Sequence, residues 1–521
     1  MFKNLTTGFK LFLLIIVVGG VAAAIYFGGG LKKISKEKSS TATETKKSKS
    51  GLFGNNNPDL TVVVNTWGGF APLAYLNGGS LEPNKESRIY KEYGIKLAIK
   101  ICDVFDDSRN TFKSGNGDIV YATYDALPVE MGAGSTMVQY GAEGFLQVDW
   151  SRGGDLIVVR KGINNVADLK GKTVAVAEGT ASNSLLIKTL EANQLTMNDV
   201  VLKKVTDGIE AAKLFKAGTV DAAVVWTPDD GDCLAAIPGS KVLVGTKSAP
   251  FIIADGLLAT KTFIDENKDL LAKFSTAWLK INGEINSSEA TKQEAAKAFA
   301  KAFNVDEGFA LNGLDKVRLT TLGDNINFFG LNPQYVGVTG EQLYSKMSIV
   351  YSDLKLTSKP VAWRTVSNTS VIEAMSAGGQ LTGPAQEAEA SIKFTPATPE
   401  VKSKTAMSSK KVSINFATGA YILTDDNKAI IDREFVSLSK DFAGLRVRIE
   451  GNTDAIGDPQ FNLSLSTKRA QAVADYLIKE YKFDPNRFII QGNGSRQAIA
   501  DGVTTANENY RRTDFQFIAN D

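Results

Sequence analysis

The chain has 521 residues, 43% apolar and 22% charged. That is too long for one core and predicts two to four domains of ordinary globular composition. It contains no histidine, which excludes Ser-His-Asp and Cys-His catalysis and histidine-ligated metals. The net charge of +2 hides an asymmetry: residues 1–50 carry nine lysines against Glu37 and Glu44. The remainder is mildly acidic and lacks the basic face of a nucleic-acid-binding domain. Cys102 and Cys233, far apart, read as buried thiols and not as a disulfide framework. No cofactor and no metal site are expected.

At the amino terminus Lys3 and Lys10 precede an uncharged run, Leu11 to Leu31, which as a helix would be about 31 Å long and span a bilayer. A cleaved signal peptide is the competing reading, with Leu11–Val18 as its apolar core and Ala22-Ala23-Ala24 as the cleavage site. The anchor is favoured because apolar character continues through Ile25, Tyr26 and Phe27. No cysteine follows, which excludes a lipoprotein anchor. Lys32, Lys33, Lys36 and Lys38 crowd the far side, against the usual charge bias. Residues 32–57, rich in Lys, Ser, Thr, Gly and Asn, read as a flexible tether.

Residues 58–380 read as the large domain. Thr61–Val64, Ile95–Ile101, Ile119–Tyr121, Leu156–Val159, Thr173–Ala177, Val201–Val205 and Ala222–Val225 are short apolar strands. Helical patterns lie between them: one around Leu185–Leu190, another from an Asp207-x-x-Glu210 capping box to Gly218. A longer helix covers Phe263–Ile281 with Leu271, Phe274 and Trp278 on one face, and another Ala295–Phe303. Strands alternating with helices predict parallel α/β sheets. Residues 381–411, with Pro384, Pro396 and Pro399, read as an extended solvated linker. Residues 412–521 predict a small α+β domain. Its strand Val412–Phe416 is followed by a helix Asn427–Asp441 and a strand Arg446–Ile449. A loop over Gly451 and Gly457-Asp458-Pro459, a helix from Asn462 to about Tyr481, and strands Arg487–Gln491 and Thr513–Ile518 complete it.

Three stretches of the large domain carry a resemblance: Asn65-Thr66-Trp67-Gly68-Gly69-Phe70 after the first strand; Val166–Val176 with Glu178-Gly179-Thr180-Ala181-Ser182; and Leu214–Ala223 with Trp226-Thr227-Pro228. Together they resemble the two-lobed periplasmic substrate-binding proteins of ABC importers, in the sulfonate, nitrate, phosphonate and thiamine-precursor group. The resemblance implies a two-lobed α/β fold, with lobe 1 formed by about 58–150 and 250–380 and lobe 2 by about 151–249. It also implies a solute held between the lobes at the strand ends. The candidate ligand-binding residues are Trp67, Gly68, Thr123, Asp125, Thr180, Ser182, Trp226 and Asp229. Thr180-Ala181-Ser182 opens a helix whose free N–H groups suit an oxyanion, or is an ordinary cap. Trp67 and Trp226 suit a flat ring or a quaternary cation, or pack the hinge. Asp125 and Asp229 suit a cationic ligand.

At the carboxyl end the pattern Gly451-Asn452-Thr453-Asp454, Gly457, then Asn462-Leu463-x-Leu465-Ser466 and Arg469-Ala470 with Val473 and Tyr476-Leu477 resembles the OmpA-like peptidoglycan-binding domain over about Val412 to Ile518. The resemblance implies that Asp454 holds the ammonium and Arg469 the carboxylate of a diaminopimelate stem peptide. A carboxylate acceptor and a bidentate guanidinium suit those groups. Asn452, Thr453, Asn462, Leu463 and Arg512 complete the expected peptidoglycan-binding set. Two positions depart from the family pattern: Asn452 replaces a histidine, and Tyr510 replaces the asparagine before Arg511 and Arg512.

These readings combine into a receptor, not an enzyme: a single-pass inner-membrane helix, the bulk of the chain in the periplasm, a solute-capturing domain and a grip on peptidoglycan. An ABC permease is an expected partner, and nucleic acid is not. The alternative is an envelope scaffold whose middle domain docks a protein. A proton-conducting stator would need an acidic residue within Leu11–Leu31, which has none. No hydrolase carboxyl-pair pattern is present.

Overall fold

The computed structural model describes residues 57–521 except 228, 380, 382–391, 415, 418 and 521. The expected membrane helix and almost all of the tether lie outside the described residues. Within them, no helix is long and apolar enough to cross a membrane.

The chain opens with β1 (Leu60–Val64), β2 (Leu97–Ile101), β3 (Ile119–Thr123) and β4 (Ala142–Ser151). It then crosses to β5 (Asp155–Val159), β6 (Thr173–Ala177), β7 (Val201–Val205), β8 (Ala222–Trp226) and β9 (Lys241–Gly245), and returns as β10 (Ala254–Thr260) and β11 (Val317–Leu319). One sheet has the order β11-β4-β10-β3-β1-β2 and the other β7-β6-β8-β5-β9. Two sheets crossed by two connections make two lobes. Neither sheet is purely parallel: β10 runs antiparallel to β3 and β4, and β5 antiparallel to β8 and β9. These reversed strands are the hinge-crossing ones.

Both lobes use one stitching device. Asp118, just before β3, accepts from the Thr61 amide at 2.9 Å, and Asp221, just before β8, from the Thr173 amide at 2.8 Å. Each carboxylate satisfies an amide at the start of the lobe's first parallel strand, where no ladder partner is available. The Thr-Val-Asp-Ala run is therefore a structural signature.

Helix α1 (Ala181–Glu191) packs on the lobe 2 sheet. In lobe 1 the expected helix over Phe263–Ile281 is broken at Asn267, which separates Lys261–Glu266 from α2 (Lys268–Ser287). Leu271, Phe274 and Trp278 of α2 are all fully buried. A core aromatic of this kind contributes about 2–3 kcal/mol. Helix α3 (Gly340–Asp353) starts at a capping box made by Thr339 and Gln342.

The carboxyl domain has β12 (Ser408–Val412), β13 (Arg446–Asn452), β14 (Phe488–Gly494) and β15 (Thr513–Ile518) in the order β12-β15-β13-β14. Only β13 and β14 run parallel, bridged by helix α5 (Pro459–Tyr481). Helix α4 begins at Asp425 and runs to Asp441 through a wider π turn at Asp432–Val436. Phe435 of α4 stacks on Phe515, ring centroids 3.8 Å apart. The carboxyl end of α4 and the loop after it are capped by the fully buried Arg487, whose guanidinium donates to the carbonyls of Ser439, Phe442 and Leu445.

The stretch expected as a solvated linker takes part in packing at its described end. Phe394 is buried under the Arg446 guanidinium, and its amide donates to Asp484. The carboxyl domain is seated on the large domain. The Val166 amide donates to the Met407 carbonyl, and Asn193 accepts from the Ser409 amide at 3.1 Å. One apolar core runs from Ile157 and Leu186 of lobe 2, through Met347 and Tyr351 of α3, to Phe435 and Phe517. At its margin four charges meet. Lys188 of α1 and Lys346 of α3 approach Asp441 of α4 at 3.3 and 3.4 Å, and both also reach Glu191. Burial pulls the Lys188 ammonium down, with Asp441 opposing. Lys346 is raised: burial works against its charge, but Asp441 and Glu191 outweigh it.

Removing one partner of a buried ion pair costs about 3–5 kcal/mol. Asp441→Ala in the full chain is expected to release the carboxyl domain and increase the radius of gyration in small-angle X-ray scattering. An unchanged scattering profile together with an unchanged melting midpoint would show that the knot does not hold the domains together.

Candidate binding sites

The first site lies at the carboxyl end of β13. Helix α5 sits so close to the sheet that a Cβ on Gly451 would fall 2.1 Å from the Ser466 carbonyl oxygen, and one on Gly492 2.1 Å from Thr467 Oγ1. Glycine at both positions lets the helix approach and brings Arg469 toward the loop after Asn452. Asp458 caps α5 by accepting from the Phe461 amide at 2.8 Å, and Asn462 donates to the Ile456 carbonyl at 2.9 Å. Thr453 is held by its amide to Gly494, and Leu463 is half-buried against that same glycine.

Asp454 is 9% exposed, and its Oδ2 accepts from Arg511 Nη1 at 2.8 Å. Arg469, 5% exposed, donates from Nε to the Ala420 carbonyl at 3.0 Å and lies over the Phe416 ring at 4.9 Å. Its guanidinium is pushed down by burial and then by Arg511, with Asp454 pulling the other way. Asp454, Arg469 and Arg511 therefore share one electrostatic neighbourhood, two cations to one carboxylate. Ile456, Phe461, Tyr421 and Ile422, next to these residues in sequence, are exposed.

Arg512 lies elsewhere. Its Nε donates to Asp514 at 3.0 Å, and Asn452 donates to the other Asp514 oxygen. Successive residues leading into a strand face opposite ways, so only one of the adjacent arginines reaches Asp454. The sequence pattern pointed to Arg512, and the one in contact is Arg511. The extended backbone before β15 was the signal that could have separated them.

The second site is the seam between the lobes. Trp67 donates to Asp149 Oδ1 at 3.5 Å. Its ring covers Gly154, where a Cβ would fall 2.1 Å from Cη2. Gly68 backs onto Gly313, whose carbonyl oxygen lies 2.3 Å from where its Cβ would be. Thr180 donates its hydroxyl to the Ala177 carbonyl at 2.8 Å and makes no side-chain cap. Ser182 accepts from Trp226 Nε1 at 2.9 Å, so that hydroxyl already has a donor. Asp125 accepts from the Ala254 amide, and nearby Ser184 of α1 bonds Tyr351 of α3 at 2.7 Å. Thr123 is half-buried, opposite Asp255. Asp229 is half-buried, and burial raises its carboxyl. Thr180, Ser182 and Trp226 thus gather at the start of α1. Trp67, Gly68, Thr123 and Asp125 belong to lobe 1, and Asp229 to the helix after β8.

Sequence reading missed three neighbours, Asp149, Asp155 and Asp255, all buried. Burial raises the Asp149 carboxyl to about 7, Asp125 to about 7 and Asp155 to about 6, and raises Asp255 further still, with Asp149 as the next cause.

Two family models match the chain: the OmpA family over residues 415–512 and the NMT1/THI5 like family over 154–281. Among curated proteins, outer membrane protein Omp38 of Acinetobacter baumannii is 32% identical over 142 residues, 27% of this chain and 40% of that protein. A candidate binding protein of Brucella abortus is 25% identical over 154 residues, 30% of this chain and 46% of that protein. The chain thus spans less than half the length of these relatives. Among solved structures, the aliphatic sulphonate binding protein of Escherichia coli superposes with a TM-score of 0.46 at 19% identity, covering 60% of this chain and 92% of that one. The desulfurization enzyme DSZB superposes with a TM-score of 0.42 at 12% identity, covering 61% and 99%.

The buried carboxyls have a thermal signature. Their pKa values lie above the unfolded value of 3.8, so the native state holds more protons than the unfolded chain between about pH 4 and 7. Stability therefore falls as pH rises through that window. The melting midpoint of the full chain is expected to be higher at pH 5.5 than at pH 7.5 (~2 units apart, bracketing the titration), and the reverse order would mean these carboxyls are ionised and solvated. The chain thus carries a region matching the NMT1/THI5 like family ahead of an OmpA-family region at its carboxyl end.

Proposed function

We propose that the protein is a wall-anchored solute receptor of the bacterial envelope. The OmpA-family domain grips the peptide stem of peptidoglycan, and the two-lobed domain captures a small molecule. Residues 11–31 tether it to the inner membrane with the bulk of the chain in the periplasm. A permease of the ABC type is the natural recipient of the solute. No covalent chemistry is required: binding is the function.

The observation that carries this reading is the grouping of Asp454, Arg469 and Arg511 in an OmpA-family domain. A diaminopimelate side chain ends in an ammonium and a carboxylate on one carbon. The ammonium can take the place of the Arg511 guanidinium at Asp454. The incoming carboxylate is then left between Arg511 and Arg469, where two guanidiniums favour it. Asn462 and Leu463 support the loop and the first turn of α5. Asn452, Thr453 and Arg512 hold the strand ends. Two attachments, one to membrane and one to wall, would raise the local concentration of the receptor in a thin layer.

The scaffold alternative draws on one feature, that several seam residues already satisfy one another, as Trp226 does Ser182. Native mass spectrometry of the full chain as purified separates the two: a retained small molecule supports the receptor, and a bare mass across independent preparations supports the scaffold.

The full chain is expected to co-sediment with purified sacculi. Asp454→Ala or Arg469→Ala should weaken this at least tenfold, about 1.4 kcal/mol and within the range of a charge-assisted hydrogen bond. Arg511→Ala should weaken carboxylate capture while freeing Asp454, and so cost less. Equal sedimentation of all three variants would remove the peptidoglycan reading.

A further inference from the structure

The lobe 1 sheet ends in a surplus of hydrogen-bond acceptors. Asp255, the second residue of β10, lies opposite Thr123 of β3 on one side and Asp149 of β4 on the other. Asp125 follows β3 two residues later. Asp155, at the first residue of β5 across the hinge, accepts from Ser151 at 2.7 Å and lies opposite Trp226. Asp125, Asp149 and Asp155 each come within electrostatic reach of Asp255. Among the described residues no lysine or arginine forms an ion pair with any of the four. Such pairs are common elsewhere in this chain; Arg109, for example, meets Glu130 at 2.6 Å.

A second observation is independent of the acidic count. Asp125 and Asp149 are wholly buried, and no N–H or O–H meets Oδ2 of either in hydrogen-bond geometry, nor Oδ1 of Asn65 after β1; the neighbours that come nearest to partnering the two carboxyls are Ser184 and Asp255. Leaving buried acceptors without donors is costly, and native proteins rarely tolerate it without a functional reason. These oxygens sit at the lobe 1 strand ends, that of Asp149 against Gly69. Trp67 reaches Asp149 from lobe 1, and Trp226 lies opposite Asp155 in lobe 2. Two indole faces and several orphan acceptors are the complement of a positively charged N–H donor.

We infer that the cleft takes a small organic cation with N–H donors, an alkylammonium or alkylguanidinium compound, and not a sulfonate. This rests on the receptor reading above. The cation would supply the charge that the four carboxyls lack and the donors that Asp125, Asp149 and Asn65 lack. A sulfonate brings only acceptors and negative charge into the same place, beside four buried carboxyls.

The test is thermal-shift and calorimetric titration of the full chain with ethylammonium, agmatine, methylguanidine and ethanesulfonate. At least one of the three cations is expected to raise the melting midpoint and ethanesulfonate is not. Asp149→Asn and, separately, Asp155→Asn should each weaken the responding cation at least about tenfold. Both variants relieve a buried charge, so loss of folding is not the expected cause of lost binding, and circular dichroism checks that. A response to ethanesulfonate alone would overturn the cation while leaving a receptor. No response to any probe would overturn both readings. A cation response undiminished in both variants would place the site elsewhere.

Discussion

The shape of the described body depends on one carboxylate. Asp441, on the carboxyl domain, receives Lys188 from lobe 2 and Lys346 from α3 of the large domain. Glu191 balances the pair, so the four charges nearly cancel. Such a cluster adds little to net stability, because desolvating the ions offsets their attraction. What it adds is register: an apolar contact surface tolerates sliding, and a buried ion pair does not. The shared core around Met347 and Tyr351 provides the adhesion, and Asp441 fixes where it occurs.

The two binding regions have opposite electrostatic character. Around Asp454 two guanidiniums share the neighbourhood of one carboxylate, a positive excess. At the strand ends of lobe 1 four carboxyls gather without a compensating cation among the described residues, and burial raises all four. Around Asp454 the Arg511 guanidinium supplies the partner of the carboxylate; at the seam no lysine or arginine among the described residues does so.

Much of this was legible in the chain because local spacing carries it. The strands of lobe 2 announced themselves as apolar runs, and Asp454 with Arg469 stood in a pattern whose turn and helix agree. Strands β4, β9, β10 and β11 were not found: β4 ends on Asp149 and Trp150, β10 contains Gly256, and both read as irregular until paired. Asp149 and Asp255 become neighbours only through that pairing, across more than a hundred intervening residues (~3.3 Å per residue if extended), so no local signal could join them. The same holds for Lys188, Lys346 and Asp441, three unremarkable surface-type residues in sequence. Arg511 was obscured for a different reason, a one-residue choice of strand face between identical side chains.

Helix α1 touches both regions. Its Ser184 meets Tyr351 beside Asp125, and Lys188, one turn further on, meets Asp441. A helix is stiff along its axis, so an ångström of travel at the seam arrives undiminished at the knot. Tyr351 and Lys346 give α3 the same double attachment. The carboxyl domain is therefore tied, through both helices, to side chains that lie at the seam between the lobes.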